Sequence, residues 1–536
     1  MTTYQYAAIY PTLFPASFFC IIAFWLAAII YTFFYKKITT KTNPFQKLTT
    51  KKENIIVYTL LALSLSFYFW LNYSAFNTLN LFDRDLIGEL QILWKVSQGI
   101  NPHNTIFSIH MLADHWTLIY YPIALTYKFI PQPLFVLFLT ILSYLGGALI
   151  IFKIAKLKLK SSLLSIAILL SVLLNPYIYL GLLARANTDV FSFFFISLSF
   201  YYLFKNKSIH FIFLALIAMS CKEDVALYFI PVGIWCYFSL KKSKTGIIIT
   251  LSSLIYFLLI TKIAMPFFGS DNNLFNFQDM YPTLGSTTNE IIRSFIKNPH
   301  TILIKLFCAQ SISSLTFLLA PFLVFFFCAG STLYLCLTPF TVKLLASYTA
   351  TFKFTKHAIW HPLFFIYLAV IFGIRNCRFL IIKKFKIPKR QANIYIAFIL
   401  IIATVLNLSF WKKFTFYTYR SYRPISSYLS TTRTPIKKAA INSIPKIASL
   451  LADAEFLTYS PNRTNMFEIN NFNKKPILEI LESVEYAIFD FKKPYQDALL
   501  IKMKPKLQKY LNTTNHWQNI YSFDNIEVYK NKSLTK

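Results

Sequence analysis

Apolar runs separated by short basic loops dominate the first 410 residues. Many of these runs reach the length that an α-helix needs to cross a bilayer, about 20 residues, and their repetition predicts an α-helical polytopic membrane protein. We place twelve spans at residues 12–35, 54–73, 133–152, 161–182, 190–204, 209–220, 225–240, 245–265, 313–329, 331–348, 361–377 and 392–410. The first stretch lacks a basic leading segment, which predicts a retained helix and not a cleaved signal peptide.

Clusters of Lys and Arg fix the orientation of the spans. Short loops rich in these residues stay on the cytoplasmic side of a membrane, so an even number of crossings must separate successive clusters. Twelve crossings satisfy every cluster and put both termini outside. The clusters lie at residues 36–52, 153–160, 205–207, 241–244 and 375–390.

Acidic residues avoid the predicted cytoplasmic face. The chain has 21 Asp and Glu against 54 Lys and Arg, and of the acids before residue 411 only Glu53 is predicted to be cytoplasmic. Any acid–base chemistry is therefore expected at the exterior face. The predicted exterior acids are Asp83, Asp85, Glu89, Asp114, Asp189, Glu223, Asp224, Asp271, Asp279 and Glu290.

Composition excludes several other classes. A net charge of +33 would suit nucleic-acid binding in a soluble domain, but here the basic residues lie in loops between apolar runs. The 7 cysteines lie in or beside apolar segments without metal-ligand spacing. We therefore expect no nucleic-acid partner, no disulfide and no zinc site.

The patterns divide the chain into four regions. Residues 1–73 hold two helices and a basic loop, and residues 74–132 form the first exterior loop, in which segment 116–130 is predicted to be an interfacial helix. Residues 133–410 form the multipass domain, and residues 411–536 a small exterior α/β domain. In that last region we predict strands at 454–459 and 485–491, helices at 476–483 and 496–511, and a hairpin at 521–529.

Two predicted spans are too short for the hydrocarbon core. Residues 190–204 and 209–220 cover roughly 22 Å and 18 Å at 1.5 Å per residue, against about 30 Å. A charge at that depth costs about 2.5 to 3.5 kcal/mol unless water or a partner receives it. The short spans therefore favour a polar cavity open to the exterior, although thinning of the bilayer and snorkelling would instead bring the charges to the headgroups. The polar residues at the exterior ends are Arg185, Asn187, Asp189, Lys222, Glu223 and Asp224.

The first exterior loop offers a candidate base. Asp83, Arg84 and Asp85 follow directly on an apolar span, and a carboxylate held there can accept a proton from an exterior hydroxyl. Two carboxylates around an arginine are also typical of a plain surface ion network. The motif is therefore ambiguous by itself.

Histidines give a second pattern. His110, Asp114 and His115 form H-x-x-x-D-H, which on a helix would put His110 and Asp114 on one face. The set lacks a clear third or fourth ligand, so hydrogen bonding or substrate contact is favoured over a metal, and we expect no cofactor unless a divalent metal assists. His357 and His361 raise the same question and are expected to be interfacial anchors, with His357 a candidate substrate contact.

Several segments resemble a bacterial multipass membrane family, domain of unknown function 2079. The K-E-D-x-A-L element and the H-x-x-x-D-H-W loop are the most specific of them. The segments are FDRDLIGELQILWKVSQGINP (82–102), HMLADHWTLIYYPIALTYKFIPQP (110–133), CKEDVAL (221–227), YPTLGSTTNEIIRSFIKNP (281–299), KLLASYTATFKFTKHAIWHP (343–362), IPKIASLLADAEFLTYSPNR (444–463) and EYAIFDF (485–491).

That family is in turn similar to membrane glycosyltransferases of the C superfamily (GT-C), which use polyprenyl-phosphate sugars. The resemblance implies a GT-C-like fold in the bacterial inner membrane, an exterior domain in the periplasm, and Asp83 or Asp85 as the catalytic base. The chain departs from the pattern at 186–189, where Ala-Asn-Thr-Asp replaces an aromatic-His-Pro-Glu element.

The resulting hypothesis is a glycosyltransferase that passes a sugar from a polyprenyl-phosphate donor to an exterior acceptor. Arg185 and Lys222 would neutralise the departing phosphate. Glu223 and Asp224 would orient Lys222 or contact sugar hydroxyls. The alternatives are a transporter or flippase for a lipid-linked or polar solute, and a non-catalytic envelope protein.

Overall fold

The computed structural model describes residues 49–534, except for 82, 184–187, 270–279, 282, 286, 348–350, 352–353, 355, 419–428, 430, 470–475, 493–504, 506 and 512. The predicted span at 12–35 and Arg185 lie outside the described residues. So does most of the helix predicted at 496–511.

The first exterior loop is folded into short elements between two long helices. Two of its helices begin with side-chain caps, since Asp83 accepts from the backbone N–H of Leu86 and His110 from that of Leu112. The elements up to residue 182 are α1 (Thr50–Asn77), α2 (Arg84–Ser97), β1 (His103–Asn104), β2 (Ile109–His110), α3 (Met111–Asp114), α4 (Tyr120–Tyr127), α5 (Pro133–Leu159), α6 (Ser162–Leu173) and α7 (Pro176–Leu182).

Helices also make up the rest of the multipass region. A π-helical turn, Ile260–Ala264, joins α11 to α12. The elements are α8 (Thr188–Phe204), α9 (Ser208–Cys221), α10 (Val225–Phe238), α11 (Ser243–Leu259), α12 (Met265–Phe268), α13 (Thr288–Lys297), α14 (Pro299–Phe307), α15 (Ala309–Leu319), α16 (Leu323–Phe327), α17 (Tyr334–Leu344), α18 (Trp360–Phe385) and α19 (Lys389–Thr418).

Six helical stretches among the described residues are long and apolar enough to cross a membrane. The apolar helices α6, α8, α9 and α10 are shorter. The multipass membrane class is thus confirmed, whereas the count of twelve crossings stays a prediction. The six stretches are Thr50–Asn77, Pro133–Leu159, Ser243–Phe268, Ala309–Phe327, Lys356–Phe385 and Lys389–Leu408.

The helix α18 forms the centre of the apolar core. Its residues from Trp360 to Ile371 are all buried. At Gly373 the helix passes so close to α16 that a Cβ atom would lie 1.6 Å from the carbonyl oxygen of Phe325. Only glycine allows this contact, which brings the buried half of α18 against its neighbours.

A five-stranded sheet lies near the C-terminus, in the order β4-β3-β5-β7-β6. The strand β3 runs parallel to β4 and β5, and β7 runs antiparallel to β5 and β6. We call residues 434–531 the C-terminal sheet region. Its elements are α20 (Thr434–Asn442), β3 (Leu450–Ala452), α21 (Ala454–Tyr459), β4 (Met466–Glu468), α22 (Ile477–Leu481), β5 (Tyr486–Asp490), β6 (Trp517–Phe523) and β7 (Ile526–Asn531).

One predicted strand of this region is wrong. Residues 454–459 form the helix α21, and the strand is the preceding segment Leu450–Ala452. The two neighbours Phe456 and Leu457 are both fully buried, which a helix allows because their side chains lie about 100° apart on one broad face. The strand at 485–491, the helix at 476–483 and the hairpin at 521–529 are found where they were predicted.

Candidate functional site

The short helices α8 and α9 bring an acid and a lysine together. Asp189 lies in the first turn of α8 and Lys222 directly follows α9, the ends that suit each charge in the helix dipole. Because these helices form an antiparallel pair, Lys222 Nζ lies 3.2 Å from Asp189 Oδ2 and 3.4 Å from Oδ1. Asp189 is 1% exposed and Lys222 8%. The two sunken ends thus meet, as the polar cavity hypothesis requires.

The break between α9 and α10 confirms that residues 209–240 do not form one helix. Lys222 adopts an extended backbone, with φ −165° and ψ 142°, so successive side chains of the Lys-Glu-Asp triplet (Lys222–Asp224) point in different directions. Asp224 Oδ2 accepts from the Tyr228 hydroxyl (2.8 Å) and lies 3.3 Å from Lys343 Nζ. Asp189 holds Lys222, and the expectation that Glu223 and Asp224 orient Lys222 or contact sugar hydroxyls stays a prediction.

His361 lies between the two acids. Its Nε2 is 2.6 Å from Ser192 Oγ, while its Nδ1 is 3.6 Å from Asp189 Oδ1 and 3.9 Å from Asp224 Oδ2. The side chain is fully buried. The expectation of an interfacial anchor is therefore wrong for His361, because its partners are buried acids and not headgroups.

Glu223 ties the triplet to the first exterior loop. Its Oε1 is 2.9 Å from His115 Nδ1, and its Oε2 accepts from the backbone N–H of Trp116 at 3.0 Å. Burial alone would lower the pKa of His115, but the Glu223 carboxylate beside it raises that pKa overall. The contact places the first exterior loop against the Lys-Glu-Asp triplet, whereas a shared reaction site stays a prediction.

The Asp83–Asp85 turn opens α2. Asp83 Oδ1 caps the helix by accepting from Leu86 N–H at 3.4 Å, and Asp83 Oδ2 lies 3.9 Å from Lys356 Nζ. Asp85 lies in the first turn and is partly exposed. Asp83 therefore caps the start of α2, and Asp85 is the second residue of that helix.

Two buried carboxyl groups connect this turn to the triplet. Burial raises the pKa of Glu89 well above its ordinary value, and the charges of Asp85, Asp83 and Asp189 raise it further. Burial also raises the pKa of Asp114, which lies within electrostatic range of Asp85 and of Glu223 and Lys222. Asp85 therefore lies within electrostatic range of both carboxyl groups, and Asp189 lies within electrostatic range of Glu89.

The H-x-x-x-D-H pattern does not form the predicted helix face. His110 lies in β2 and caps α3, with its Nδ1 accepting from Leu112 N–H at 3.2 Å and its ring stacked on Phe268 at 4.9 Å. His115 turns to Glu223 instead. Among the described residues no group of three or more His, Cys, Asp or Glu side chains has the arrangement of a metal site.

His357 lies in the turn before α18, within electrostatic range of Asp189. Arg185 lies outside the described residues. Sequence reasoning missed Lys343, Lys356 and the site position of His361. Each comes from a segment more than 100 residues away in the chain, and no local pattern links them to the triplet.

The long apolar helices and the buried charges at the ends of short helices are those of a multipass membrane protein. The profile of a family described as "Predicted membrane protein (DUF2079)" matches residues 71–528. This match spans more than half of the sequence, and the chain belongs to that family.

Solved structures of ArnT from Cupriavidus metallidurans are similar to this chain. The structure bound to undecaprenyl phosphate has a TM-score of 0.48 at 11% identity, over 88% of this chain and 97% of that chain. The apo structure has a TM-score of 0.45 at 10% identity, over 90% and 98%. No curated protein sequence matches the chain.

Proposed function

We propose that the protein is a membrane glycosyltransferase that transfers a sugar from a polyprenyl-phosphate donor to an acceptor on the exterior side. One observation carries the proposal: Glu223, next to Lys222, is paired with His115 of the first exterior loop, which also contains the Asp83–Asp85 turn. Asp85 and Asp189 also both act electrostatically on Glu89. We infer that a base from the turn and the cation of the Asp189–Lys222 pair act on one substrate.

The reaction needs a base for the acceptor and positive charge for the leaving group. The acceptor oxygen bonds to the anomeric carbon of the sugar, while the bond from that carbon to the phosphate oxygen breaks. The polyprenyl phosphate keeps the bonding electrons, and Asp85 takes the hydroxyl proton. Asp85 is the better base because Asp83 already caps α2 and lies near Lys356.

Lys222 would bind the departing phosphate. An ammonium group has three donors, so Lys222 can hold a phosphate oxygen while it stays paired with Asp189. Charge grows on the phosphate as the bond breaks, and a prearranged cation then stabilises the transition state more than the ground state. Arg185 belongs to the same proposal from the sequence.

The remaining polar groups would position the substrates. His115 and Glu223 are hydrogen-bonded to each other, Asp114 lies within electrostatic range of both, and His357 lies within electrostatic range of Asp189. His110 belongs to the same proposal from the sequence. Hydroxyl-rich sugars need such donors and acceptors on fixed elements. We assign to these side chains, and to Asp224, contacts with the sugar or the acceptor.

The wider setting belongs to the same proposal. It comprises a GT-C-like fold with twelve crossings, the bacterial inner membrane, and a C-terminal sheet region on the periplasmic side. The reaction uses no nucleotide and no resident cofactor. Adding a chelator and then Mg²⁺ to the assay tests whether a divalent metal assists.

Sugar release from defined donors tests the function. Purified protein in lipid is given polyprenyl-phosphate sugars and an acceptor extract, with Asp85→Asn, Asp83→Asn and Lys222→Ala beside the wild type. Glu53→Gln, predicted to be on the opposite face, is the matched control. Absence of release for all donors, or release that survives all three changes, would overturn the proposal. Uptake of labelled solute into vesicles would instead support a transporter.

A further inference from the structure

The helix α2 presents two different faces. Asp85 and Glu89 are four residues apart and so share the face toward the charged site, whereas Arg84, Ile87 and Gln91 share another face. Ile87 is fully buried in one apolar cluster with Leu457 and Met466 and other residues of the C-terminal sheet region. The helix that carries the proposed base is therefore packed directly on that region.

Gln91 is the polar centre of this contact. It is fully buried, and its Nε2 donates to the Thr464 carbonyl at 3.0 Å and to Thr105 Oγ1 at 2.8 Å. Its Oε1 accepts from the backbone N–H of Thr105 at 3.0 Å. Thr105 in turn donates to the Met466 carbonyl at 2.7 Å and accepts from its N–H at 3.0 Å. Gln91 and Thr105 thus link α2 to Met466 in the edge strand β4.

Arg84 forms the second link, at the turn itself. It lies between the two candidate acids, with Nε 3.4 Å from Glu468 Oε2 in β4. Its Nη2 donates to the Ile106 carbonyl at 3.1 Å, and its guanidinium lies 5.0 Å from the centre of the Phe107 ring. An arginine held by three neighbours has little rotational freedom, so the backbone around Asp83 and Asp85 is fixed with it.

We propose that the C-terminal sheet region sets the position of Asp85 through Arg84 and Gln91, which act as positioning residues for the transfer. The inference rests on the proposed function. Neither side chain touches the substrate. Each side chain couples the position of β4 to that of the α2 face that carries Asp85, because the helix moves as a rigid body.

Kinetics of variants at the contact test the inference. We expect Glu468→Gln to lower kcat by about tenfold to a hundredfold, because a displacement on the order of 1 Å at a reacting group has such an effect. KM for the lipid donor should change less than about twofold, since Lys222 and its partners are untouched. Glu468→Asp, which keeps the charge, should recover part of the rate.

Thr434→Val is the matched control. Thr434 Oγ1 donates to the Thr78 carbonyl at 3.2 Å in the same contact, but it does not touch α2. Its kcat should equal that of the wild type. An unchanged kcat in Glu468→Gln and in Gln91→Leu, or an equal loss in Thr434→Val, would overturn the positioning role.

Hydrogen–deuterium exchange separates this inference from the proposed function. Peptides covering residues 84–97 should exchange faster in Glu468→Gln than in the wild type and in Thr434→Val. If no donor gives sugar release, the proposed function fails while the exchange still tests the link. Equal exchange in all three proteins would overturn the link even in an active enzyme.

Discussion

The charged groups at the two ends of the helix bundle differ in how much of their surface is exposed to solvent. At the predicted cytoplasmic end, Glu53 is bonded to Lys156 and Ser162, and the Lys156 side chain is still 40% exposed. At the predicted exterior end, Asp189, Lys222 and Lys343 are each less than 10% exposed. The first set resembles an ordinary partly solvated ion pair between helix ends. In the second set, several charged side chains are shielded from water together.

The exterior set is also unbalanced. Among the described residues its acids outnumber its lysines, and burial raises the pKa of Glu89 and of Asp114. Packing alone favours neutral or evenly paired groups, so an excess of carboxyl groups at partly buried positions is expected where a protein binds or reacts. The acids are Asp83, Asp85, Glu89, Asp114, Asp189, Glu223 and Asp224, and the lysines are Lys222, Lys343 and Lys356.

The largest effect is expected at Asp85. Asp85→Asn keeps the shape of the side chain but removes the proton acceptor, so kcat for sugar transfer should fall by about 10² to 10⁴-fold. Initial rates at saturating donor measure the change. Glu53→Gln at the opposite end should keep the wild-type rate, and equal rates in wild type and Asp85→Asn would show that Asp85 is not the base.

Breaking the buried pair should destabilise the fold. Lys222→Met leaves Asp189 buried without its cation, and loss of one partner of such a pair costs about 3 to 5 kcal/mol. Thermal unfolding in the same lipid measures this. The double variant Asp189→Leu with Lys222→Met should regain stability but not transfer.

Lys153→Met is the control for that measurement, since Lys153 is exposed near the cytoplasmic end of α5. Its unfolding should match the wild type. If Lys222→Met unfolds like this control, the pair is not a buried structural contact, and the contrast between the two ends of the bundle is lost.

Local patterns predicted the charged segments but not their pairing. The shortness of α8 and α9 is visible in the sequence and predicted a polar cavity at their exterior ends, but the pairing of Asp189 with Lys222 was not predicted. The partners of Asp224 and Ser192 are 119 and 169 residues away, at Lys343 and His361. Such contacts depend on how α17 and α18 pack, which hydropathy does not record.

The same limit explains the misassigned elements. The long helices were predictable because an apolar run of about 20 residues is a local property. The segment 454–459 is too short for helix and strand periods to differ clearly, and packing on α2 decides its state. His361 was misassigned because its burial depends on how α18 packs against Ser192 of α8, which the local sequence does not record.

Glu89 should make the stability of the exterior site depend on pH. The raised pKa means that the folded protein keeps this proton at pH values where the unfolded chain has lost it. Protonated Glu89 therefore makes its full contribution to stability below the pKa of an ordinary glutamate, about 4.3. Stability falls as the pH rises from there toward the pKa of Glu89 in the folded protein. The groups that act on Glu89 are Asp83, Asp85, Asp189 and the Tyr120 hydroxyl.

Melting curves of wild type and Glu89→Gln between about pH 5 and pH 8 measure this dependence. The wild-type melting temperature should decline by a few degrees relative to the variant, because glutamine stays neutral throughout. Glu479→Gln, at an exposed position of the C-terminal sheet region, should keep the wild-type curve. Parallel curves for wild type and Glu89→Gln would mean that Glu89 ionises normally.

The smallest effect is expected at the cytoplasmic end. Glu53→Gln removes a carboxylate whose partner Lys156 is partly in water, and such pairs contribute about 1 kcal/mol or less because solvent screens them. Unfolding measured at low and high salt should show a small loss that salt diminishes. A loss as large as that of Lys222→Met, or abolished sugar transfer, would place a functional charge on both faces and remove the asymmetry on which the proposed site depends.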